Sequence, residues 1–279
     1  MVRVVTVRTM ITVAPTGAEV SKGGFPALPV TLPELLDTAI ACERAGASVL
    51  HIHLRDGAGQ PTLDVGRARE ALSLLRQETR LILQLSTGGA VSDSESARLA
   101  TLDAQPDSVS VTCGTVNFGD EVFANRWPFV AELYQRVLGL GIYPEFEIFD
   151  LGQICTLRRL LEEFGRPAGD HVHVDLVAGV PGGMPGSAAA IMACVHELDP
   201  DWTFTATGIG RTALPVMLAS LAVGGHIRVG MEDTLTFAKG EPVQSNLQLV
   251  ERAASLASLA QRPVIAPHEA RSLLGIARD

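Results

Sequence analysis

The sequence is poor in cysteine and has no cysteine pair. Its 279 residues include only four cysteines, Cys42, Cys113, Cys155 and Cys194, and none of them forms a C-x-x-C motif. This spacing argues against a disulfide framework and against a cysteine zinc knot. We therefore expect four core thiols in a reducing compartment.

Long apolar runs and an excess of basic charge are also missing. No stretch approaches the roughly 20 apolar residues that a membrane-spanning helix needs, and charges interrupt the first eight residues too often for a signal-peptide core. The formal net charge is -9, whereas a duplex nucleic-acid binder needs a basic face. We expect a cytoplasmic protein that binds neither nucleic acid nor a membrane.

What the sequence does contain is a repeated strand-then-helix rhythm. Thr31 with Glu34 predicts a helical capping box, Asp64 precedes another helix, and Ser245 precedes the last one. Eight such units without a linker favour one (β/α)₈ TIM barrel, a single domain over residues 1–279, rather than a doubly wound sheet. The strand candidates are residues 3–14, 48–55, 80–86, 107–112, 142–149, 171–177, 202–207 and 226–232.

Two histidines end the second predicted strand. Alternation places His51 and His53 on one face, just before a polar loop. The carboxyl ends of barrel strands carry the functional groups of this fold, so the pair is a candidate half of a metal site. Hydrogen-bonded interior histidines are the alternative. His171 and His173 have the same spacing but begin their strand, which disfavours them as ligands.

Two acids end the eighth predicted strand, which neighbours the first in a closed barrel and lies close to the second. Glu232 can therefore reach the histidine pair as the anionic ligand of an open, catalytic-type site. Asp233 is a candidate base, and Arg228 on the same strand can orient it and hold down its pKa.

Glycines and small polar residues follow three other strands. Ser86 and Gly89 lie in a turn whose N–H groups can form an anion nest, although a plain turn explains the segment equally well. Thr115 and Asn117 can hydrogen-bond a substrate after strand four. Gly210 and Arg211 follow strand seven, where barrels often bind phosphate.

Acids on strand five and after strand one are the remaining candidates. Glu145 and Glu147 share one face of a strand, and buried acids need partners. Glu19 follows the first strand, where it either contacts a ligand or is a solvated loop acid.

Several long motifs, in order along nearly the whole chain, resemble the β-keto acid cleavage enzymes. The matching segments are residues 15–19, 45–56, 86–89, 113–119, 208–211 and 225–233, with similar short segments at 244–246 and 269–271.

The resemblance implies a zinc-dependent barrel acyltransferase of amino-acid degradation that reacts a β-keto acid with acetyl-CoA, giving acetoacetate and a new acyl-CoA. It also implies a homo-oligomer, commonly a tetramer. The zinc ligands that it implies are His51, His53 and Glu232. The implied base is Asp233, with Arg228 as the arginine that orients it. The implied contacts to the keto acid are Glu19, Ser86, Gly89, Thr115 and either Glu145 or Glu147. Arg211 is expected to meet a CoA phosphate.

Two other functions stay open at this point. A zinc-dependent barrel hydrolase acting on a small carboxylic or keto acid also suits His-x-His on a strand, although only Lys22 and Lys239 are available for a carbamylated lysine bridge. A non-catalytic metal-binding or acyl-CoA-binding protein is the third. The tail of the keto acid also stays open, because Glu19 and a strand-five acid could face an amine or could be paired internally.

Overall fold

Eight parallel strands close into a barrel in the computed structural model, which describes residues 8–276. Helices connect consecutive strands, so the predicted TIM barrel is confirmed. β1 pairs with both β8 and β2, as expected for a closed barrel. The barrel strands are β1 (Ile11–Val13), β2 (Val49–Ile52), β3 (Ile82–Leu85), β4 (Ser108–Thr112), β5 (Tyr143–Ile148), β6 (His173–Ala178), β7 (Thr203–Gly208) and β8 (His226–Val229).

The predicted helix starts are confirmed. The Thr31 side chain accepts a hydrogen bond from the Glu34 backbone while the Glu34 carboxylate accepts one from the Thr31 N–H, and Asp64 and Ser245 cap their helices. Within residues 8–276 no helix is long and apolar enough to cross a membrane. The helices are α1 (Leu32–Arg44), α2 (Val65–Glu78), α3 (Glu95–Ala100), α4 (Trp127–Leu140), α5 (Gly152–Phe164), α6 (Ala188–Glu197), α7 (Ala213–Ala222), α8 (Asn246–Leu259) and α9 (Pro267–Leu274), with 3₁₀ turns at Thr101–Ala104 and Gly210–Thr212.

The helix after Ser245 is not the last one, because α9 follows it. Ala270 and Leu274 of α9 pack with Met10, Ile82 and Tyr143 near the amino-terminal ends of the strands. Burial of these apolar side chains closes the lower end of the barrel. Sequence periodicity missed this helix because it belongs to no βα unit.

Two predicted strands end earlier than expected. β8 was predicted to reach residue 232, but its ladder stops at Val229, and the backbone N–H groups of Asp233 and Thr234 both donate to the Gly230 carbonyl in a turn. Glu232 and Asp233 are therefore turn residues. The first strand was predicted over 3–14; residues 1–7 lie outside the described residues, and the barrel pairing covers Ile11–Val13.

Short antiparallel hairpins extend three of the loops at the carboxyl ends of the strands. After β2, Leu54–Arg55 pairs with Pro61–Thr62, so the second predicted strand, residues 48–55, is interrupted at His53. Val116–Phe118 pairs with Glu121–Phe123 after β4, and Thr236–Ala238 pairs with Glu241–Pro242 after β8. These loops surround the entrance to the barrel.

The interior of the barrel is polar. Along β5, Phe146 packs in the apolar core while Glu145 and Glu147 are buried on the opposite face. Arg228 of β8 contacts Glu147 of β5 and Asp175 of β6, which are not its neighbours in the sheet, so these side chains meet across the barrel axis. The apolar residues of the strands pack against the helices instead.

Replacing Thr31 with alanine should remove the side-chain cap of α1 and lower the free energy of unfolding by about 1 kcal/mol. Urea titration followed by circular dichroism measures the change. The matched variant Thr31→Ser keeps a hydroxyl at the cap and should stay close to the parent; equal losses in both variants would show that the cap is not the cause.

Candidate metal centre and substrate cavity

A cluster of two histidines and one glutamate lies at the carboxyl ends of β2 and β8. His51 ends the inward face of β2, His53 follows it, and Glu232 comes from the turn after β8. The Nε2 atoms of both histidines lie 3.6 Å from Glu232 Oε1, and the three possible ligand atoms lie within 4.8 Å of one another. No other set of His, Cys, Asp or Glu residues between 8 and 276 gathers in this way.

The protonation states of this cluster suit a metal ion. Burial, reinforced by the nearby charge of Arg228, lowers the pKa of His51 to about 3. Burial also lowers the pKa of His53, so both imidazoles are neutral, the form that binds metals. Burial by itself would raise the pKa of Glu232, but the charge and the hydrogen bond of Arg228 lower it and keep the carboxylate ionised.

One buried oxygen of the cluster has no hydrogen-bond partner. Glu232 Oε1 accepts from Arg228 Nη2, whereas Oε2 is buried without a donor. A buried carboxylate oxygen normally has a partner, and a divalent cation beside two neutral imidazoles would supply it. The residues present therefore fit a bound metal ion.

A glutamine fixes the orientation of His51. Gln84 Nε2 donates to Ser108 Oγ at 3.2 Å and to Glu145 Oε1 at 3.1 Å, so its Oε1 must accept from the His51 Nδ1–H, 2.5 Å away. Nε2 of His51 is then the unprotonated nitrogen that faces Glu232. Such a partner fixes the tautomer of a metal-binding histidine. Glu145 in turn holds the Gln84 amide by accepting its hydrogen bond.

Arg228 lies buried between four carboxylates. Its Nε and Nη2 donate to Asp233 at 3.2 and 3.0 Å, and Nη2 also donates to Glu232. Its Nη1 lies 3.6 Å from Glu147 Oε1 and 3.7 Å from Asp175 Oδ2. One guanidinium cannot neutralise four ionised carboxylates, so this group also favours a nearby cation or protonation of some of the acids.

The pKa of Asp233 is raised, not held down as the sequence suggested. Burial raises it more than Arg228 lowers it, and the charge of Glu232 adds to the increase. Arg228 nevertheless orients the carboxylate through its two hydrogen bonds. A carboxylate with a raised pKa is a stronger base than an exposed one.

A cavity of about 270 Å³ opens above the cluster. The metal-site candidates, Arg228 and Asp233 all line it. Four of the predicted substrate residues line it as well: Glu19, Ser86, Gly89 and Glu147. The structure thus places Glu147, not Glu145, at the cavity.

The loop after β3 contributes hydrogen-bonding groups to the cavity. Ser86 Oγ accepts from the Gly88 N–H at 3.1 Å, and Gly89 has a φ of 62°, in the left-handed region. A Cβ at Gly89 would lie 2.2 Å from Asp93 Oδ2, so only glycine fits this turn. The turn presents small groups and backbone N–H groups to a ligand.

Five predicted site residues do not line the cavity. Glu145 lies beneath it, with Oε2 3.4 Å from His173 Nε2. Thr115 is exposed and accepts from the Asn125 N–H. The remaining three are Asn117, Gly210 and Arg211; the Gly210 N–H donates to the Asp233 carbonyl, and Asn117 and Arg211 are exposed. A ligand contact for these five stays a prediction.

The rival histidine pair has other partners. His173 Nδ1 and His171 Nε2 both lie 2.7 Å from Thr203 Oγ1, and His173 Nε2 lies 2.9 Å from Thr205 Oγ1. These rings are hydrogen-bonded at the start of β6, below the candidate metal site. Their position along the strand therefore sets them apart from His51 and His53, which lie at the carboxyl end of β2 beside Glu232.

Sequence reasoning missed two parts of the site. Gln84 could have been found from the sequence, because it is the one polar residue in the apolar strand β3. Alternation along that strand places it on the face that points into the barrel. The second part is an apolar wall on the far side of the cavity. We define the apolar wall as Phe118, Phe123, Phe149, Val177, Val180 and Ile209.

Fold and site together define a barrel enzyme with a His, His, carboxylate cluster at the carboxyl ends of its strands. A family model described as "beta-keto acid cleavage enzyme" matches residues 8–276. The chain belongs to the β-keto acid cleavage enzyme family, which confirms the resemblance noted in the sequence.

Curated relatives carry related names. The 3-keto-5-aminohexanoate cleavage enzyme of Acetoanaerobium sticklandii is 35% identical over 97% of this chain and 99% of its own length. The 3-dehydrocarnitine:acetyl-CoA trimethylamine transferase of Rhizobium meliloti is 33% identical, with 96% of each chain covered. The 3-oxoadipate:acetyl-CoA acetyltransferase of Cupriavidus necator is 34% identical, with 96% and 94% covered.

A solved structure shares the fold. The binary complex of ObcA with oxaloacetate has a TM-score of 0.75 and 20% sequence identity, and the match covers 91% of this chain and 68% of that one. At this identity the likeness supports the barrel architecture alone.

Replacing Gln84 with leucine should free the His51 ring to rotate and change tautomer, lowering metal affinity about 10- to 100-fold. Competition with a chromophoric chelator measures the affinity directly. Ser108→Ala is the matched control, because Glu145 still accepts from the Gln84 amide and affinity should change little. Unchanged affinity in Gln84→Leu would exclude this positioning role.

Proposed function

We propose that this protein catalyses the acetyl-CoA-dependent cleavage of a β-keto acid, yielding acetoacetate and a new acyl-CoA. One observation carries the proposal: the His51, His53, Glu232 cluster and the Arg228-held carboxylate of Asp233 line one cavity in a chain of this family. The relatives named as acetyl-CoA transferases support the co-substrate.

Zinc is the metal that we propose for the cluster. Two imidazoles and one carboxylate form the ligand set of open, catalytic zinc sites, in which a further position is left for water or substrate. When bound, the ion would supply Lewis acidity toward the oxygens of the keto acid. His51, His53 and Glu232 would hold it.

Asp233 is the proposed base. It removes a proton from C2 of the keto acid, between the carboxylate and the keto group, and leaves a carbanion. That carbanion attacks the thioester carbonyl of acetyl-CoA and displaces the CoA thiolate. The thiolate attacks the original keto carbon, and cleavage of the C2–C3 bond gives a new acyl-CoA and the carbanion of acetoacetate. The protonated Asp233 returns its proton to that carbanion, which completes acetoacetate and restores the base.

Several groups along the cavity would position the reactants. Ser86 and the Gly89 backbone can donate to the substrate carboxylate. Arg228 keeps Asp233 oriented. We further propose that Arg211, exposed in the 3₁₀ turn after β7, meets a phosphate of CoA. A homo-oligomeric assembly and a cytoplasmic location stay predictions.

A zinc-dependent hydrolase is the rival that the geometry permits, because an open metal position could also activate water. No lysine lines the cavity among the described residues, so a lysine-bridged pair of metals finds no support there. Asp233, fixed beside the cluster, suits abstraction of a carbon-bound proton and the chemistry of the family.

Acetyl-CoA labelled with ¹³C on both acetyl carbons distinguishes the two functions. The proposed reaction places the label in C3 and C4 of acetoacetate and leaves the acyl group of the new thioester unlabelled, as NMR would show. A hydrolase would consume the keto acid without acetyl-CoA and yield no labelled acetoacetate.

His51→Ala should lose bound metal and at least about 99% of turnover, because it removes one of three ligands. Metal analysis of the purified variant and acetoacetate formation are the two measurements. His171→Ala, a change outside the cluster, should keep both. Full activity in metal-free His51→Ala protein would remove the Lewis-acid role.

Asp233→Asn should retain metal but lose about 10²- to 10⁴-fold in kcat, because an amide cannot accept the C2 proton. Exchange of the C2 hydrogens for deuterium, followed by NMR in the absence of acetyl-CoA, isolates this step. Parent-like exchange in a folded, metal-loaded Asp233→Asn protein would assign the base to another residue.

A further inference from the structure

We propose that the keto acid of this enzyme carries an uncharged, apolar tail, which packs against the apolar wall. The inference rests on the proposed function and specifies the class of substrate for that same site. It follows from the position of the wall, the absence of an available charge on it and its rigidity.

The metal cluster and the apolar wall lie on opposite arcs of the barrel. Around the barrel, β8, β1 and β2 are contiguous, and they carry the metal cluster and Glu19. The apolar wall comes from the chain following β4, β5 and β7 and from β6 with its loop, on the opposite arc. A keto acid held by its oxygens at the cluster therefore directs its tail at the wall.

Of the charged residues that line the cavity, Glu147 and Arg228 have other partners, and Glu19 lies on the β1 side, away from the wall. Both oxygens of Glu147 are engaged, one by the Thr112 hydroxyl at 2.7 Å and the other facing Arg228 at 3.6 Å. Arg228 itself lies among acids. Glu19 is exposed and follows β1, on the arc of the barrel opposite the wall.

No charge remains at the wall to recognise a charged tail. Among the described residues that line the cavity, Arg228 is the one cation. Apart from the metal and base candidates, its acids are Glu147, which is held by Thr112 and faces Arg228, and Glu19 on the β1 side. An ammonium or carboxylate tail placed there would lose its hydration without gaining a partner. An alkyl tail instead gains the free energy of leaving water.

The wall is preorganised for such a tail. The Phe118 ring meets Phe123 and Phe149 edge to face, with centroids 6.4 Å apart in each pair. Arg98 lies over the Phe123 ring, 4.7 Å from its centroid, and its guanidinium is fixed by the Thr87 and Ala124 carbonyls. The aromatic rings are therefore held in place before a ligand arrives.

Three keto acids with six-carbon chains test the inference: 3-oxohexanoate, its 5-amino derivative and 3-oxoadipate. All three contain the same β-keto acid group and differ in the charge of the tail. With acetyl-CoA and metal-loaded protein, we expect kcat/KM to be at least tenfold higher for 3-oxohexanoate than for either charged acid. A preference for the ammonium or the carboxylate tail overturns the inference.

Tail length provides a second measurement. From 3-oxopentanoate through 3-oxohexanoate to 3-oxoheptanoate, kcat/KM should rise about three- to fourfold for each methylene group that the wall buries. Equal values along the series contradict a contact between tail and wall. If none of the keto acids is converted, the proposed function fails, a result distinct from a change in preference.

A negative charge introduced at the wall provides a test by mutation. Phe118→Glu should lower kcat/KM for 3-oxohexanoate and shift the ratio of alkyl to ammonium substrate at least tenfold toward the ammonium form. Phe118→Leu is the matched control, which keeps an apolar side chain and the alkyl preference. Melting temperature and metal content verify that each variant is folded.

A second substitution, at another position, controls for misfolding of the Phe118 variant. Val91 borders the apolar wall in the loop after β3 and is only partly buried, so Val91→Glu should produce the same change of preference with less effect on packing. If both acidic variants only raise KM for acetyl-CoA, equally with every keto acid, the wall contacts the CoA arm and the inference is wrong.

Discussion

The site depends on one buried cation. Arg228 donates to Asp233 and Glu232 and faces Glu147 and Asp175 across the barrel. Removing a guanidinium from such a group would leave several uncompensated buried charges. Arg228 therefore both permits acids inside the barrel and sets the orientation of Asp233 and Glu232.

The same polar interior continues below the candidate metal site. Glu145, Gln84 and His51 form a chain of hydrogen bonds that ends at the nitrogen facing Glu232. Because the apolar faces of the strands pack against the helices, the interior is available for charged and hydrogen-bonding groups. A conventional apolar filling of the barrel would leave His51 without an orienting partner.

Much of the fold could be predicted because its signals are local. Thr31, Asp64 and Ser245 mark helix starts through hydrogen bonds within one helical turn, and the βα rhythm predicted eight strands. The end of β8 and the existence of α9 could not be predicted in this way. Both depend on contacts with distant segments: a Cβ at Gly230 would lie 1.8 Å from the Ala14 carbonyl oxygen, and α9 is positioned by packing at the base of the barrel.

The sequence by itself determined the barrel, the family and the candidate ligands, since alternation along a strand and position at its end are properties of adjacent residues. Tertiary structure alone decided which strand-five acid reaches the cavity, what raises the pKa of Asp233 and that six apolar side chains from separate segments form one wall. Burial and electrostatic coupling arise between residues far apart in the chain, and closure of the barrel brings them together.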